Sequence, residues 1–570
     1  MVKPIFSKSK FIVSIILAIL MTLTFTIFAV GCREEGGGDC CCDEPIVTPT
    51  PCDELEDFAQ FASFKINMPG VVPPQNINQS FLPLDRYDWQ NATFTMVCNT
   101  YDEHSFDSIA GRIRGRGNST WNVGTRVNQP HMQKWPFRIR FNTPQSMLGS
   151  TSVSTDWSFI ANLSDYSQMR NEAKAFLGRR LSGMDWQTRS RFVHVYFNGQ
   201  YRGVYWMAEQ LQANTNAWGG RPQDAVSGRV DVVYHPDPAI SEYFIELDLR
   251  VNQPPANQPD LVLVEGVDYI RAAGRLYDMR FPDDTRERYR VYSRVVGEYD
   301  ICDETDEKTP RYSFVYNARR RYRTTGHFDY ARDFLTRVDS AIVSRNWSRI
   351  TDLIDVSSFV DFYLVQELFK EIDVGGLSIH MTIRNTPRGR RIFKGPLWDF
   401  DLSAGNADPG DNWSATPRWN ANGGHGTTGI WAAYMNRWFR ELMRVPQFFN
   451  LARERFLEIA PNQVSSMQNH VLRLARVYQD DFDRNFERWN LQLGRRTWVQ
   501  PPDIVALDSF MDNVRHLVAW FCARVAHLTH FFTYGQAGTI TGPWITRLPL
   551  NPDGCCGFRH LLSREINNIV

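Results

Sequence analysis

Glu371–Asn406 (EIDVGGLSIHMTIRNTPRGRRIFKGPLWDFDLSAGN) constrains this chain more tightly than any other stretch. Ser378–Arg384 alternates apolar and polar residues, the period of a half-buried strand. Asn385–Arg390 is rich in turn formers and Arg391–Trp398 is strand-like again, so the segment predicts a hairpin. Closing it carries Asp373, before the first strand, and Asp399, after the second, to one end. A carboxylate in the first position can orient or deprotonate a hydroxyl. One in the second can hold a divalent cation on a triphosphate, and phosphoryl transfer requires both. Acidic residues also cap strands and turns everywhere, so this spacing alone does not single out the chemistry.

Finer spacing points the same way. In protein-kinase catalytic loops a metal-binding Asn follows the base Asp by five positions; here Ser378 occupies that place relative to Asp373. Asp399 opens the tetrapeptide Asp399-Phe400-Asp401-Leu402, with Gly405 close behind.

At the other end of the chain, Lys3, Lys8 and Lys10 precede an uncharged apolar run, Phe11–Val30, that leads into Gly31-Cys32. A basic start, an apolar core and small residues before a cysteine make a secretory signal. The ending resembles a bacterial lipoprotein signal in which Cys32 becomes the lipidated first residue. An uncleaved membrane helix is the alternative, because the run approaches the ~20 residues a bilayer needs. Either reading places the folded part outside the cytoplasm, tethered to a membrane. The expected organisation is a signal (1–32), a Gly/Pro-rich tether (33–57), a folded domain (58–535) and a tail (536–570). With 43% hydrophobic and 13% aromatic residues the bulk is a folded protein. Lys+Arg and Asp+Glu are equal at 63 each, which argues against general nucleic-acid binding. Half of the ten cysteines fall in the signal and tether, and the rest are too scattered for a disulfide scaffold or a zinc site.

Between these ends, Ala92–Cys98 and Ile109–Arg114 read as strands, the second running into the glycine-rich Gly111–Trp121. Lys134–Phe141 (KWPFRIRF) places Phe137, Ile139 and Phe141 on one face and Arg138 and Arg140 on the other. Asp165–Leu181 reads as an amphipathic helix with Ser164 as its N-cap. Phe192–Phe197 and Val204–Ala208 are strands joined by the hairpin turn Asn198-Gly199. This order matches a kinase small lobe, in which a strand cation pairs with a helix Glu. Arg138, Arg140 or Lys134 would then pair with Glu172, although a surface salt bridge explains any one pairing equally well. Ser241–Arg250 is a further strand; Phe328–Val343, Val356–Phe369 and most of Trp431–Phe532 read as helix. Residues 252–323 are charged and irregular, with no element assigned.

Taken together, several motifs resemble the CotH kinases, a family named for a bacterial spore-coat protein. They are Arg114–Trp121, Lys134–Phe141, Trp157 with Asp165 and Arg170-Asn171, Asn198-Gly199 with Gly203–Tyr205 and Glu209, Asp373 with Ser378, and Pro396–Leu402. They occur in the family's order over roughly Arg112–Asn406, and the helical region beyond is similar more loosely. The resemblance implies an α+β, atypical protein-kinase-like fold of two lobes (about 90–215 and about 240–535) with a mostly helical C-terminal part. It implies ATP with magnesium (or manganese) as cofactors and a protein serine or threonine as acceptor. Carried over, Asp373 is the catalytic aspartate, and Asp399, Ser378 and Asp401 form the metal set. Ser378 departs from the kinase Asn. Arg138, Arg140, Lys134, Glu172 and Glu209 become the nucleotide-binding set. Two other readings stay open: a kinase-fold lipoprotein that only binds, and an enzyme that transfers the adenylyl group to protein.

Overall fold

Alternating apolar residues between Ala62 and Ile113 give strands with one dry face, later strands up to Glu209 are buried on both faces, and seven in all close into a barrel. The computed structural model describes residues 60–538 apart from 77–78, 87, 118, 127–132, 149–152, 185, 212–234, 236, 248–268, 271–288, 293–326, 376–377, 408–425 and 490–492. The described residues all belong to one unit, Leu55–Val570. The expected signal, Cys32, the tether to residue 57 and the tail from residue 539 lie outside them.

The barrel strands are β1 (Ala62–Asn67), β2 (Gln90–Val97), β3 (Phe106–Gly115), β4 (Phe137–Ser146), β5 (Val153–Ile160), β6 (Ser190–Phe197) and β7 (Gln200–Glu209). Their order is β1-β2-β3-β4-β5-β7-β6, and β6 closes the ring by pairing parallel to β1, Phe64 opposite Val195. Phe64, Phe94, Ile113, Phe137, Phe159 and Val195 fill the interior, with Phe137 stacked on Phe159 at 4.5 Å. The Asn198-Gly199 turn forms between β6 and β7 with both residues at positive φ, as such a hairpin requires. The Asn198 side chain also accepts from Met68 N at 2.7 Å, which ties the turn to the end of β1.

On the outer face of β6 and β7, Phe192, Val204, Trp206 and Ala208 belong to a second core built by the helices and a second sheet. The helices are α1 (Ser119–Gly124), α2 (Arg170–Arg180), α3 (His327–Val343), α4 (Trp347–Leu353), α5 (Val356–Phe369), α6 (Ala432–Met435) and α7 (Arg437–Leu442). They continue as α8 (Pro446–Ile459), α9 (Ser465–Val477), α10 (Gln479–Arg488), α11 (Pro502–Val505) and α12 (Phe510–Tyr534). Asn346, Asp355 and Ser509 cap α4, α5 and α12, each accepting a first-turn backbone N–H. The second sheet is antiparallel, ordered β12-β11-β8-β10-β9 from β8 (Tyr243–Leu247), β9 (Tyr269–Ile270), β10 (Tyr289–Tyr292), β11 (Ile379–Thr386) and β12 (Gly389–Lys394).

Two local expectations need correction. The helix expected over Asp165–Leu181 starts only at Arg170, and Ser164 does not cap it. Asp165 takes the backbone N–H groups of Ser167 (3.1 Å) and Arg170 (2.9 Å), and Gln168 is left-handed, so 165–169 is a tight turn. Nor is α2 amphipathic: Arg170–Gly178 is buried on every side. Strands β9 and β10 fall inside 252–323, where no element was expected; β10 is fixed by pairing with β8, and β9 by pairing with β10. Among the described residues no helix is long and apolar enough to cross a membrane. Phe11–Val30 lies outside that statement.

Candidate active site

The predicted hairpin closes with Met381 opposite Lys394 and Thr386 opposite Gly389. Before it, Lys370 adopts a left-handed conformation and ends α5, and Ile372–Gly375 forms a single 3-10 turn that carries Asp373. After it, Gly395 turns the chain out of the ladder, and Leu397–Phe400 runs back toward Ser378. The Ser378 hydroxyl donates to Asp399 Oδ2 at 3.3 Å, so the two flanks of the hairpin meet. Ser378 and Asp399 both sit at positive φ, a conformation that costs a non-glycine residue about 1–3 kcal/mol and persists only where its surroundings dictate it.

Those surroundings come from the N-terminal end of α2. The Arg170 guanidinium donates to Ser403 O (2.9 Å), Ala404 O (3.1 Å) and Asp165 Oδ1 (2.5 Å). Asn171 Oδ1 accepts from Phe400 N at 3.1 Å, and Ala404 N donates to Phe369 O at 2.6 Å. Asn406 Nδ2 donates to Ser164 O (2.8 Å) and Asp401 O (2.7 Å). One turn deeper, Lys174 Nζ donates to Leu397 O at 3.3 Å, among the rings of Trp206, Trp398 and Phe400.

Charge accumulates here. Asp401 is buried, and its carboxyl is pushed well above the usual range, first by burial and then by Asp399, Asp165 and Asp373. Lys174 is buried too. Its amine falls to about 7 because burial outweighs the pull of Glu172 and Asp399, while Arg179 pushes it further down. Asp165 is matched by Arg170, and Asp373, Asp399 and Asp401 act on one another in a shared field. Asn406 Oδ1 is buried without a hydrogen-bond partner. Clustered carboxyl oxygens are the ligand type a hard divalent cation takes. Among the described residues no three His, Cys, Asp or Glu side chains converge tightly enough to hold a metal alone. A cation here would complete its shell with phosphate oxygens and water, as magnesium does.

The cations expected to pair with Glu172 do not. Arg138 reaches Asp156 Oδ1 through Nε (3.1 Å) and Nη2 (2.7 Å), and Arg140 Nε reaches the same oxygen at 2.9 Å. The register explains this, since Arg140 lies directly opposite Asp156 across β4 and β5. Glu172 instead accepts from His470 Nε2 (3.1 Å), Arg179 Nη2 (3.4 Å), Ser190 Oγ (2.7 Å) and Trp206 Nε1 (2.8 Å). Burial pushes its carboxyl up, but His470 and Arg179 outweigh that and hold it at about 2. Lys134 is buried, 3.5 Å from Gln168 Oε1 and over the Tyr205 ring, and burial lowers its amine well below the lysine range. Glu209 accepts from Arg189 N at 2.9 Å. On the outer face of β3 and β4, Arg112 stands opposite Arg140 and Arg114 opposite Arg138, and Arg114, Arg138 and Arg140 gather round the Trp89 ring. Arg116, just past β3, lies over the Trp398 ring at 5.5 Å, beside Asp399.

Sequence reading overlooked Lys174, Asp156 and Asn406 as site residues. A signal for the first existed. The chain uses arginine almost throughout, and of its few lysines beyond residue 10, Lys134, Lys174, Lys370 and Lys394 are all buried. Asp156 and Asn406 carried no such mark.

A family model described as CotH kinase protein matches residues 113–528. No curated protein matches the chain.

Proposed function

The chain belongs to the CotH kinase family, and from that premise we propose that it is an extracytoplasmic, membrane-tethered atypical protein kinase. It moves the ATP γ-phosphate to serine or threonine of surface or secreted proteins. The barrel is read as the small lobe, and the helices with the second sheet as the large lobe. The observation that carries this reading is the bond from Ser378 to Asp399, which joins the hairpin flanks in a field shared by Asp373, Asp399 and Asp401.

In this reading Asp373, half-buried on its 3-10 turn, orients the acceptor hydroxyl and takes its proton. Asp399, with Ser378 and Asp401, holds the metal. Magnesium or manganese, when bound, neutralises charge on the β- and γ-phosphates. The arginines of β3 and β4 offer cations for phosphate. Asp156 keeps Arg138 and Arg140 in fixed rotamers, the preorganisation that bidentate phosphate contacts need. Lys134, Glu172 and Glu209 complete the nucleotide-binding set in this reading.

The test incubates the full chain with γ-labelled ATP and magnesium or manganese, beside Asp373→Ala and Asp399→Ala. Label on wild type alone, with all three proteins melting alike, supports the assignment. Transfer by either variant refutes it. Label delivered from α-labelled ATP would mean adenylylation, and a melting temperature that ignores nucleotide and metal would mean a binding protein.

A further inference from the structure

Lys174 is left unused by this mechanism, yet its ammonium lies inside the site. It is 1% exposed and projects from α2 toward the turn that presents Asp399. The rings of Trp206, Trp398 and Phe400 surround it at 5.2, 5.6 and 5.7 Å. Among the described residues its hydrogen bond goes to a backbone carbonyl, Leu397 O, and no carboxylate lies within ion-pair distance. Arg170, the neighbouring cation, is already committed to Asp165, Ser403 O and Ala404 O. The carboxylates that act on its charge are Glu172, which has its own donors, and Asp399.

We propose that Lys174 is a positioning residue that serves as a resident counter-cation for Asp399, in competition with the metal. The proposal rests on the assignment of Asp399 as a metal-binding residue. In a ring-lined, water-poor setting a unit charge acts on its neighbours far more strongly than in water. Before metal arrives, that charge offsets the Asp399 carboxylate and, through Leu397 O, keeps the turn in its left-handed conformation. Once a divalent cation is present the two positive centres repel. Lys174 therefore loosens metal binding, and by reciprocity the metal weakens the hold of Lys174 on the turn. The result is a preformed site from which metal and nucleotide can leave after each turnover.

The experiment measures Mn2+ binding by electron paramagnetic resonance, with and without a non-hydrolysable ATP analogue, so it does not depend on transfer. Lys174→Gln keeps a donor for Leu397 O and removes the charge, and Lys174→Arg keeps the charge. Both are first checked for wild-type melting. Lys174→Gln is expected to bind Mn2+ about tenfold more tightly, and Lys174→Arg close to wild type. In steady state Lys174→Gln should lower KM for the metal nucleotide and kcat together, the signature of lost ground-state strain. Unchanged or weaker Mn2+ binding by Lys174→Gln overturns the inference, because a merely structural lysine would weaken binding and stability together. A wild type that binds no Mn2+ overturns it along with the metal assignment. A wild type that binds Mn2+, shows the Lys174→Gln tightening and transfers no phosphate supports it while refuting the kinase reading.

Discussion

Replacing Arg524 tests how the region behind the site is held. Arg524, on α12, places Nη2 2.6 Å from Glu367 Oε1, and both side chains are fully buried. Its other bonds go to Glu367 O, Thr427 O and Gly429 O. Glu367, on α5 just ahead of Asp373, also accepts backbone N–H groups of Trp431, Ala432 and Ala433. Lys370 completes the clamp by donating to Gly426 O and Thr428 O, each at 2.9 Å. The chain returning from Asp401 to α6 is thus fixed to the helix that leads into Asp373. Arg524→Met removes the counter-charge and strands a buried carboxylate, at a cost of about 3–5 kcal/mol. At roughly 2–4 °C per kcal/mol for mid-sized domains, and about half that for a unit of this size, melting should fall by about 5 °C. Glu367→Gln should cost less, about 1–3 kcal/mol, because three carbonyls still accept from Arg524. The double variant should be less destabilised than the sum of the singles by ~1 kcal/mol or more. Denaturant melts of the four proteins decide it. A shift of only a degree or two for Arg524→Met, or additive effects, would refute the claim that this pair carries the clamp.

Two further predictions concern a buried lysine and the tether. Burial lowers the Lys394 amine to about 7, while the rings of Phe359, Phe362, Trp438 and Phe439 lie within 5.8 Å and partly offset the cost of its charge. The unfolded chain then binds the extra proton between pH 7 and the ordinary lysine value of about 10.5, so stability rises with pH across that window and is flat below it. Denaturation at pH 7 and pH 9.5 should show a smaller rise for Lys394→Met than for wild type, and equal slopes would exclude the effect. Cys32→Ala should move the protein from the membrane to the soluble fraction if lipid is the tether. Unchanged membrane retention would favour the uncleaved helix.

The site was legible in part, and the boundary between read and unread is physical. Alternation and turn chemistry located the hairpin at residues 378–398, because both are properties of contiguous residues. The same was true of Asn198-Gly199 and of the dry face of KWPFRIRF. The start of α2 was misplaced because an Asp side chain took over its first backbone donors, a competition that helical periodicity does not register. Strands β9 and β10 were unreadable for a related reason, since what defines them is pairing across the sheet, β10 with β8 and β9 with β10.

By itself, then, the sequence determined the family, the hairpins and the strands with a regular apolar alternation, and the two ends of the hairpin that bear Asp373 and Asp399. Which charges meet was decided only in three dimensions. Arg138 and Arg140 found Asp156 across a strand register, and Glu172 found His470 from α9, 298 positions away. Lys174 came to lie behind Leu397, and Glu367 met Arg524 across 157 positions. Local patterns record how each residue faces its own strand or helix. An ion pair depends on the distance between segments far apart in the chain, and in a dry interior that distance sets both its strength and its partner.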